Sequence, residues 1–358
     1  MTVERYDSIH AAEAALRDAG GNCFSSQTYG VLRAVERGFW RCLPYTALRH
    51  ARYAFSCAFA IIRPFRVYAA RDARGVILCA PLHCDDAGKW SVVSGEIVEL
   101  DRVDFLYSER APSELEEAFR TVLRQMAADG IARVTWHYLD AEGITISLLH
   151  AWPHQVTATV QNVRIDFPDG VEPLLRSLGR TRRGNLQKAR NRLRRDNRTV
   201  SLAFFSTAGI GKDMATPEGR AMLRRCRAVY LARQESRYSH SGWMARLYFT
   251  HGSYVPLSIP GERTFLAALQ IDGTIGAYME GYVNPAHTAL EAPRIAMNDT
   301  LGRYAPGRLL MMETARWLQD HSAIRTIDLC RGDERYKREV GGTPYTTVTL
   351  CAETRRLS

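Results

Sequence analysis

The pattern of hydrophobic and polar positions repeats once along the chain, as two strands joined by a tight turn and followed later by a helix and a further strand. In the first copy, residues 65–71 and 76–82 are rich in Val, Ile, Tyr and Phe, and the turn Asp-Ala-Arg-Gly at residues 72–75 lies between them. A short turn with Asp and Gly between two such runs is typical of a β-hairpin. The first copy therefore begins with a predicted hairpin.

A helix and a strand are predicted downstream of this hairpin. The segment Ser-Glu-Leu-Glu at residues 113–116 has the spacing of a capping box, in which a serine hydroxyl and a glutamate carboxylate satisfy free amides at a helix start. Apolar residues then recur at helical period up to Met126, and Gly130 lies just beyond them. Residues 131–139 follow as a predicted strand.

The second copy has the same order. Residues 264–271 and 274–283 form two apolar runs around the turn Asp272-Gly273, and a helix is predicted after Pro306-Gly307. Residues 324–330 are the strand that follows. Two such units predict an α/β fold of the α+β type, in which helices pack on mixed sheets, rather than a helix bundle or a β-sandwich.

The most basic segment lies between the two copies, at residues 174–198, where Asp196 is the single acid. Leucine and alanine residues give it an apolar stripe, so an amphipathic helix with a cationic opposite face is predicted, and Gly184 marks a candidate start. Four cations of this segment are the candidates for binding nucleic acid or another anion: Arg182, Arg183, Lys188 and Arg190.

Composition sets the broad class. A chain of 358 residues predicts about two domains. The net charge of +10 favours an anionic partner, with coenzyme A, tRNA, anionic polysaccharide and lipid headgroups all left open. The acidic, polar amino terminus does not resemble a secretory signal, and the longest apolar stretch, residues 53–62, is too short to span a membrane. A cytoplasmic protein without a membrane span is predicted.

Cysteine spacing and short motifs narrow the chemistry further. The eight cysteines form no CxxC pair, so reduced thiols are expected, and the cluster Cys79, His83 and Cys84 lacks a fourth ligand, so no metal is predicted. The chain contains no G-x-S-x-G elbow, Walker loop or dinucleotide-binding G-x-G-x-x-G. A covalent acyl-enzyme is therefore not predicted.

Two motifs in the C-terminal part carry a family resemblance. The first is Tyr-Ala-Pro-Gly-Arg-Leu-Leu at residues 304–310, and the second combines Asp328, Gly332, Tyr336 and Lys337. Together they resemble the CelD/BcsL-type acetyltransferase-like family of the GNAT superfamily, whose architecture is similar to that of the Fem-type aminoacyltransferases. The resemblance implies two tandem GNAT-like (acyl-CoA N-acyltransferase) domains: a degenerate one at residues 1–165 and one at residues 166–358 that carries the active site.

The resemblance also implies a donor site. GNAT enzymes hold the donor pyrophosphate on backbone amides at a strand-to-helix turn of the form R/Q-x-x-G-x-G/A. The corresponding residues here keep the leading arginine but place proline and arginine where glycines are expected: Arg303, Ala305, Pro306, Gly307 and Arg308. Proline removes one amide donor and the second arginine adds a cation. The alternative is a simple helix-starting turn.

Four residues are the catalytic candidates. Glu280, in an apolar strand, is the predicted base that accepts the ammonium proton, and Asp328 is predicted to orient the acceptor. Tyr336 is a candidate proton donor to the leaving group, and Lys337 a candidate ligand of a phosphate or carbonyl oxygen. Each also has an alternative as an ordinary surface, ion-pairing or scaffold residue.

The function predicted from these residues is transfer of an acyl group from acyl-CoA, acetyl-CoA first, to an amine on a small-molecule, saccharide or peptide acceptor. No tightly bound cofactor is predicted. The first alternative is a Fem-like aminoacyltransferase in which aminoacyl-tRNA is the donor and the arginine-rich helix contacts RNA phosphates. The second is a non-catalytic polysaccharide or nucleic-acid binding protein. The acceptor and the oligomeric state are left open.

Overall fold

The structure is a computed structural model, and it describes residues 1–20, 27–33, 35–36, 65–84, 87–93, 102–150, 152–237 and 263–355. The predicted apolar stretch at residues 53–62 lies outside the described residues. The chain divides into two compact units, one formed by Met1–Val160 with Thr346–Ser358 and the other by Gln161–Tyr345.

Among the described residues, the first unit combines β-strands with α-helices. In chain order its elements are β1 Thr2–Tyr6, α1 Glu13–Ala19, β2 Phe65–Asp72, β3 Gly75–Cys84, β4 Trp90–Val92, β5 Leu106–Tyr107, α2 Pro112–Ala128, β6 Arg133–Asp140, α3 Ile144–Leu149 and the first part of β7 His154–Asp166. The last strand of the chain, β14 Thr343–Glu353, returns to this unit.

The sheet of the first unit has the strand order β1-β2-β3-β4-β6-β14-β7, with β5 beside β3. The predicted hairpin is confirmed: β2 and β3 pair antiparallel, with Asp72 opposite Gly75 at the turn. Helix α2 packs an apolar face that includes Phe119 and Val122 into a core shared with Trp136. Its amino terminus differs in detail from the prediction, because the helix starts at Pro112 and the Glu114 carboxylate accepts a hydrogen bond from the amide of Ala111.

The second unit begins within β7 and contains the remaining elements. They are α4 Val171–Ser177, α5 Arg180–Arg195, β8 Val200–Ser206, β9 Lys212–Asp213, α6 Pro217–Arg237, β10 Thr264–Ile271, β11 Thr274–Val283, β12 Ala289–Met297, a 3-10 helix Asp299–Tyr304, α7 Pro306–His321, β13 Thr326–Arg331 and α8 Arg335–Glu339.

The sheet of the second unit has the order β7-β13-β12-β11-β10-β8-β9. All of these neighbours pair antiparallel except β12 with β13 and β8 with β9, which are parallel. One face carries a large apolar core that includes Leu310 and Leu318 of α7 and Leu186 of α5. The other face carries a smaller cluster with Cys226 and Tyr230 of α6.

The structure corrects one sequence prediction in this unit. The arginine-rich segment does not form one helix starting near Gly184; it forms α4 and α5, which are separated at Gly179. Gly179 is extended, with ψ of 153°, and no Cβ contact restricts Gly184 inside α5. The domain division at residues 165 and 166 stays a prediction; the compact units divide between Val160 and Gln161, and residues 346–358 group with the first unit, in which β14 pairs with β6.

Membrane insertion by a helix finds no support in the structure. Among the described residues, no helix combines the length and the apolar character that crossing a bilayer requires.

Candidate functional site

Strands β12 and β13, a parallel pair of the second unit, are paired over a short segment only in the described residues. Strands β12 and β13 pair from Ala289 opposite Thr326 to Glu291 opposite Asp328, and both strands continue past this point. Because directly opposite residues share a face of the sheet, Glu291 and Asp328 lie side by side where the pairing ends. The described pairing of the two strands therefore ends next to two buried carboxylates.

A row of polar side chains crosses the sheet at this level. Glu291 lies opposite Tyr282 of β11, and Asp328 lies opposite Arg164 of β7. The neighbouring residues Leu290 and Ile327 belong to the apolar core on the other face. We call Arg164, Tyr282, Glu291 and Asp328, together with the pair Glu280 and Arg294, the polar row; it places Glu280 and Asp328 on one face of the sheet.

Glu280 is buried and ion-paired. It is 1% exposed, and its Oε1 accepts a hydrogen bond from Arg294 Nη1 at 2.8 Å. The guanidinium of Arg294 in turn lies 5.0 Å from the ring centre of Tyr230 in α6. Burial and, after it, the nearby Glu280 carboxylate raise the pKa of Cys226 on the same helix. The predicted base therefore lies under α6 with a counter-ion.

A main-chain close approach fixes the position of Glu280. The pairing of β11 with β12 shifts between Glu280 and Tyr282, so Gly281 sits in a bulge. A Cβ atom at Gly281 would lie 1.9 Å from the carbonyl oxygen of Glu291, a distance that no side chain can adopt. Glycine at this position lets the two strands approach and turns Glu280 toward Arg294.

Asp328 is 1% exposed and holds the strand end in place. Its Oδ1 accepts from the amide of Cys330 at 2.8 Å, and its Oδ2 accepts from the Tyr345 hydroxyl at 2.8 Å. Cys330 has a φ of 55°, the left-handed conformation that is uncommon for a residue with a side chain. Arg164 lies over the Tyr345 ring at 5.8 Å, so the aspartate is connected to a second residue of the polar row.

Lys337 and Tyr336 are neighbours in α8 with different surroundings. Lys337 is 2% exposed, and its Nζ donates to the carbonyls of Leu329 at 2.9 Å, Cys330 at 3.4 Å, Arg331 at 2.6 Å and Gly332 at 3.0 Å. This lysine therefore clamps the end of β13, as its scaffold alternative predicts. Tyr336 is partly exposed, and burial followed by the Glu334 charge raises its pKa to about 12, so it keeps its proton at neutral pH.

The predicted donor turn forms the amino terminus of α7. Ala305 is left-handed, with φ of 49°, and Pro306 is the first helical residue. The amides of Arg308 and Leu309 both donate to the Ala305 carbonyl, at 3.1 and 3.3 Å. Proline has no N–H, so Gly307 carries the first backbone amide of the helix. This amide makes neither of the two bonds to the Ala305 carbonyl.

Both arginines of this turn are held by carboxylates. Arg308 pairs with Glu339 of α8; burial alone would raise the pKa of Glu339, but Arg308 and Arg335 outweigh it and lower the pKa. Arg303 pairs with Asp196 at the end of α5, which also accepts from the Tyr304 hydroxyl at 2.9 Å. The Tyr304 and Arg195 hydrogen bonds, with Arg303, lower the pKa of Asp196 to about 2.

The arginine-rich helix is thereby brought to the turn. Arg192 Nη1 donates to the carbonyl of Arg303 at 2.8 Å. At the other end of α5, Arg182, Arg183 and Lys188 are exposed, and no carboxylate of the described chain pairs with them. Arg190 differs, because it bonds Glu313 of α7 at 2.8 Å. Three of the four predicted anion-binding residues are therefore available cations, and the fourth, Arg190, is paired.

A cavity of about 450 Å³ lies along the carboxyl-terminal half of α7. It is lined by α5, β8 and α7, and of the predicted site residues Arg190 is the one that lines it. Trp317 and His321 belong to its wall, and their stacked rings lie 4.5 Å apart between centroids. Behind this wall, the Trp317 ring also stacks on the Phe204 ring at 4.1 Å. The cavity is distinct from the polar row and from the donor turn.

Sequence reasoning missed four members of the polar row, Arg164, Tyr282, Glu291 and Arg294, and it also missed Tyr345, which donates to Asp328. A signal for two of them was present, since Glu291 and Arg294 interrupt the otherwise apolar strand β12. Their contacts depend on the bulge at Gly281 and on the pairing with β13, which no local pattern encodes.

Comparisons with known proteins agree with this architecture. Residues 180–338, from the start of α5 into α8, match the family described as Acetyltransferase (GNAT) domain. No curated protein matches the chain in sequence. This segment of the second unit is therefore similar to a GNAT acetyltransferase domain, and the predicted GNAT-like α/β fold is confirmed; the narrower CelD/BcsL assignment stays a prediction.

Two solved structures show a similar fold at low sequence identity. A conserved protein of unknown function from Bacteroides thetaiotaomicron has a TM-score of 0.52 and 9% identity, with 98% of this chain and 100% of that chain covered. FemX has a TM-score of 0.51 and 10% identity, covering 81% of this chain and 88% of its own. A tandem GNAT protein from the clavulanic acid biosynthesis pathway has a TM-score of 0.40 and 13% identity, with full coverage of both chains.

Proposed function

We propose that the second unit transfers an acyl group, acetyl in the first instance, from acyl-CoA to an amine. The observation that carries this proposal is the end of the pairing between β12 and β13 at Glu291 and Asp328, within the segment that matches a GNAT domain. The described pairing of β12 with β13 ends at Glu291, whereas β12 continues to Met297, and the main chain of this last part of β12 is proposed to hydrogen-bond to the thioester.

In the proposed reaction the amine attacks the thioester carbonyl directly. The new N–C bond forms, the C–S bond breaks, and the proton leaves nitrogen for a carboxylate of the polar row. Asp328 is the better placed of the two predicted carboxylates, because it lies where the pairing of β12 with β13 ends, whereas Glu280 is engaged by Arg294. Tyr336, protonated at neutral pH, gives its proton to the departing thiolate.

The donor phosphates are proposed to lie at the amino terminus of α7. A helix amino terminus attracts anions through its amides and its dipole. The turn is reduced in amide donors by Pro306, but Arg192, Arg303 and Arg308 surround it through the contacts described above. Cations thus take over part of the role that amides have in a glycine-rich turn.

Gly307 offers a direct test of this donor site. A Cβ atom there would meet Met297 Sδ at 3.9 Å, an ordinary contact, so substitutions fit. Gly307→Asp adds an acid in the first helical turn, which favours the helix but repels phosphate. We expect calorimetry to show CoA binding by the wild type and by the control Gly307→Ala, and a loss of at least about tenfold for Gly307→Asp. Equal binding by all three proteins contradicts the donor site.

The second candidate function, transfer from aminoacyl-tRNA, is favoured by the three available cations of α5. Arg182, Arg183 and Lys188 project from one helix without carboxylate partners in the described chain. Phosphate contacts of this kind make RNA binding strongly salt-dependent. A gel shift with tRNA that Arg182→Glu with Arg183→Glu abolishes supports this donor.

The matched control reverses two exposed arginines of the first unit, Arg124→Glu with Arg133→Glu. It changes the net charge equally and leaves α5 intact. Loss of the shift in both double variants points to non-specific attraction, and no shift with the wild type at low salt rejects the tRNA donor.

A further inference from the structure

The cavity along α7 adjoins one side of the strand β8. This strand pairs with β10 over its whole length, whereas its pairing with β9 on the other side involves only Phe205 and Ser206. A Cβ atom at Gly211 would lie 2.8 Å from the Phe204 carbonyl oxygen, so the loop before β9 covers that residue as well. Among the described residues, no strand pairs with this side of residues 200–203. Their main chain therefore offers an open strand edge.

One face of α7 forms the opposite wall of the cavity. Its lining residues recur every three or four positions from Leu309 to His321, so they form one stripe about 18 Å long. Strand residues advance about 3.3 Å each, so an extended chain of about five or six residues has the same length. Val200 and Leu202 of β8 and Trp317 of α7 line the cavity and are partly buried against the apolar core. The open edge thus lies beside apolar side chains.

The charges of the cavity wall are paired except at one end. Arg190 Nη2 and Arg316 Nη1 both donate to Glu313 Oε1, at 2.8 and 3.0 Å, and Arg316 also pairs with Glu172. Asp320 is exposed in the last turn of α7, and no cation of the described chain pairs with it. The carboxyl end of a helix carries the negative end of its dipole, which also favours a cation there. A ligand with a positive charge at the Asp320 end complements this wall.

We propose that the cavity binds an extended peptide segment of a partner protein, which adds a strand to the open edge of β8 and places a lysine or arginine beside Asp320. In this mode of recognition, main-chain hydrogen bonds supply affinity and alternate side chains supply specificity. The alternate side chains contact Val200, Leu202 and Trp317. These residues lie on the core face of the sheet, opposite the polar row, so peptide binding is additional to the proposed acyl transfer and does not depend on it.

A peptide library tests the charge preference. Phage display of random peptides of about seven residues is expected to enrich lysine or arginine at one end with the wild type, and aspartate or glutamate there with Asp320→Lys. The matched control, Asp299→Lys, reverses another exposed acid of the same unit that does not line the cavity, and it is expected to keep the wild-type preference. Identical enrichment by the wild type and Asp320→Lys, or no enrichment by either, overturns the proposal.

Synthetic versions of one enriched peptide test the main-chain pairing. Alternate residues of a strand direct their N–H groups to opposite sides, so N-methylation of one alternate set or the other gives two peptides, of which one loses the amides that face β8. Fluorescence anisotropy is expected to show an affinity loss of at least about tenfold for that peptide and of less than about threefold for the other. Equal affinities of the two methylated peptides overturn the proposal, because side chains alone would then account for binding.

Discussion

Each unit buries a carboxylate, but the two carboxylates have different hydrogen-bond and ion-pair partners. In the first unit, Asp104 is 7% exposed and accepts from the Phe105 amide at 2.7 Å and from the Thr145 hydroxyl, with no arginine or lysine among its described partners. Burial raises the pKa of Asp104 to about 7. In the second unit, Glu280 is equally buried but is paired with Arg294 and belongs to a polar row that crosses the sheet.

This difference separates a structural acid from a candidate functional one. An acid kept near neutrality by burial fills a core and couples stability to pH. Carboxylates that lie together with arginines in one polar row are instead candidates for binding a charged amine. The contrast supports the proposal that the chemistry lies in the second unit, where the GNAT match also lies.

The largest expected effect comes from removing the counter-ion. Arg294→Met leaves the Glu280 carboxylate buried without its guanidinium, and we expect the free energy of unfolding to fall by about 3–5 kcal/mol in urea denaturation. Replacing both residues, Glu280→Met with Arg294→Met, is expected to recover most of that loss. If Arg294→Met lowers the free energy of unfolding by no more than the loss of a surface ion pair does, the Glu280–Arg294 pair does not hold the site together.

The second-largest expected effect is a pH dependence of the free energy of unfolding, which arises from Asp104 in the first unit. Because the pKa of Asp104 is about 7 when folded and near its ordinary 3.8 when unfolded, the folded chain binds the extra proton between these values. Its stabilising contribution is present at low pH and is lost as pH rises toward 7, by up to about 4 kcal/mol.

Asp104→Asn removes this titration, so its stability between pH 4 and pH 8 is expected to change less than that of the wild type by roughly this amount. Urea denaturation at a series of pH values measures it. Glu280→Gln is the control and is expected to keep the Asp104 dependence. A wild type and an Asp104→Asn variant with parallel pH profiles would contradict the assignment.

A smaller effect distinguishes the two neighbours in α8. Lys337→Met leaves the carbonyls of residues 329–332 without their common donor, and we expect a loss of about 2–3 kcal/mol in the free energy of unfolding. Tyr336→Phe removes only a partly exposed hydroxyl, so its stability is expected to stay within about 0.5 kcal/mol of the wild type. Reversed outcomes would make Lys337 the functional residue and Tyr336 the scaffold.

Local signals in the sequence were sufficient for much of the fold. The Asp272-Gly273 turn between two apolar runs predicted the hairpin of β10 and β11, and Pro306 predicted the first residue of α7. Both depend on a few adjacent residues whose conformations are restricted by their own chemistry.

The side-chain partners of the site were beyond such signals. Glu280 meets Arg294 because a bulge at Gly281 sets the register of two strands, and Lys337 reaches four carbonyls because Cys330 turns the end of β13. These are consequences of tertiary packing, and a pattern along one strand contains no record of the neighbouring strand's register.

Hydrogen exchange with and without acetyl-CoA tests the central claim most directly. Bound donor at the α7 terminus and where the pairing of β12 with β13 ends is expected to slow amide exchange in peptides covering residues 303–310 and 326–331. Peptides around Asp104 and Thr145 in the first unit serve as the internal control and are expected to stay unchanged. Slowed exchange confined to the first unit, or no change in either segment of the second, would contradict the proposed acyl-CoA site.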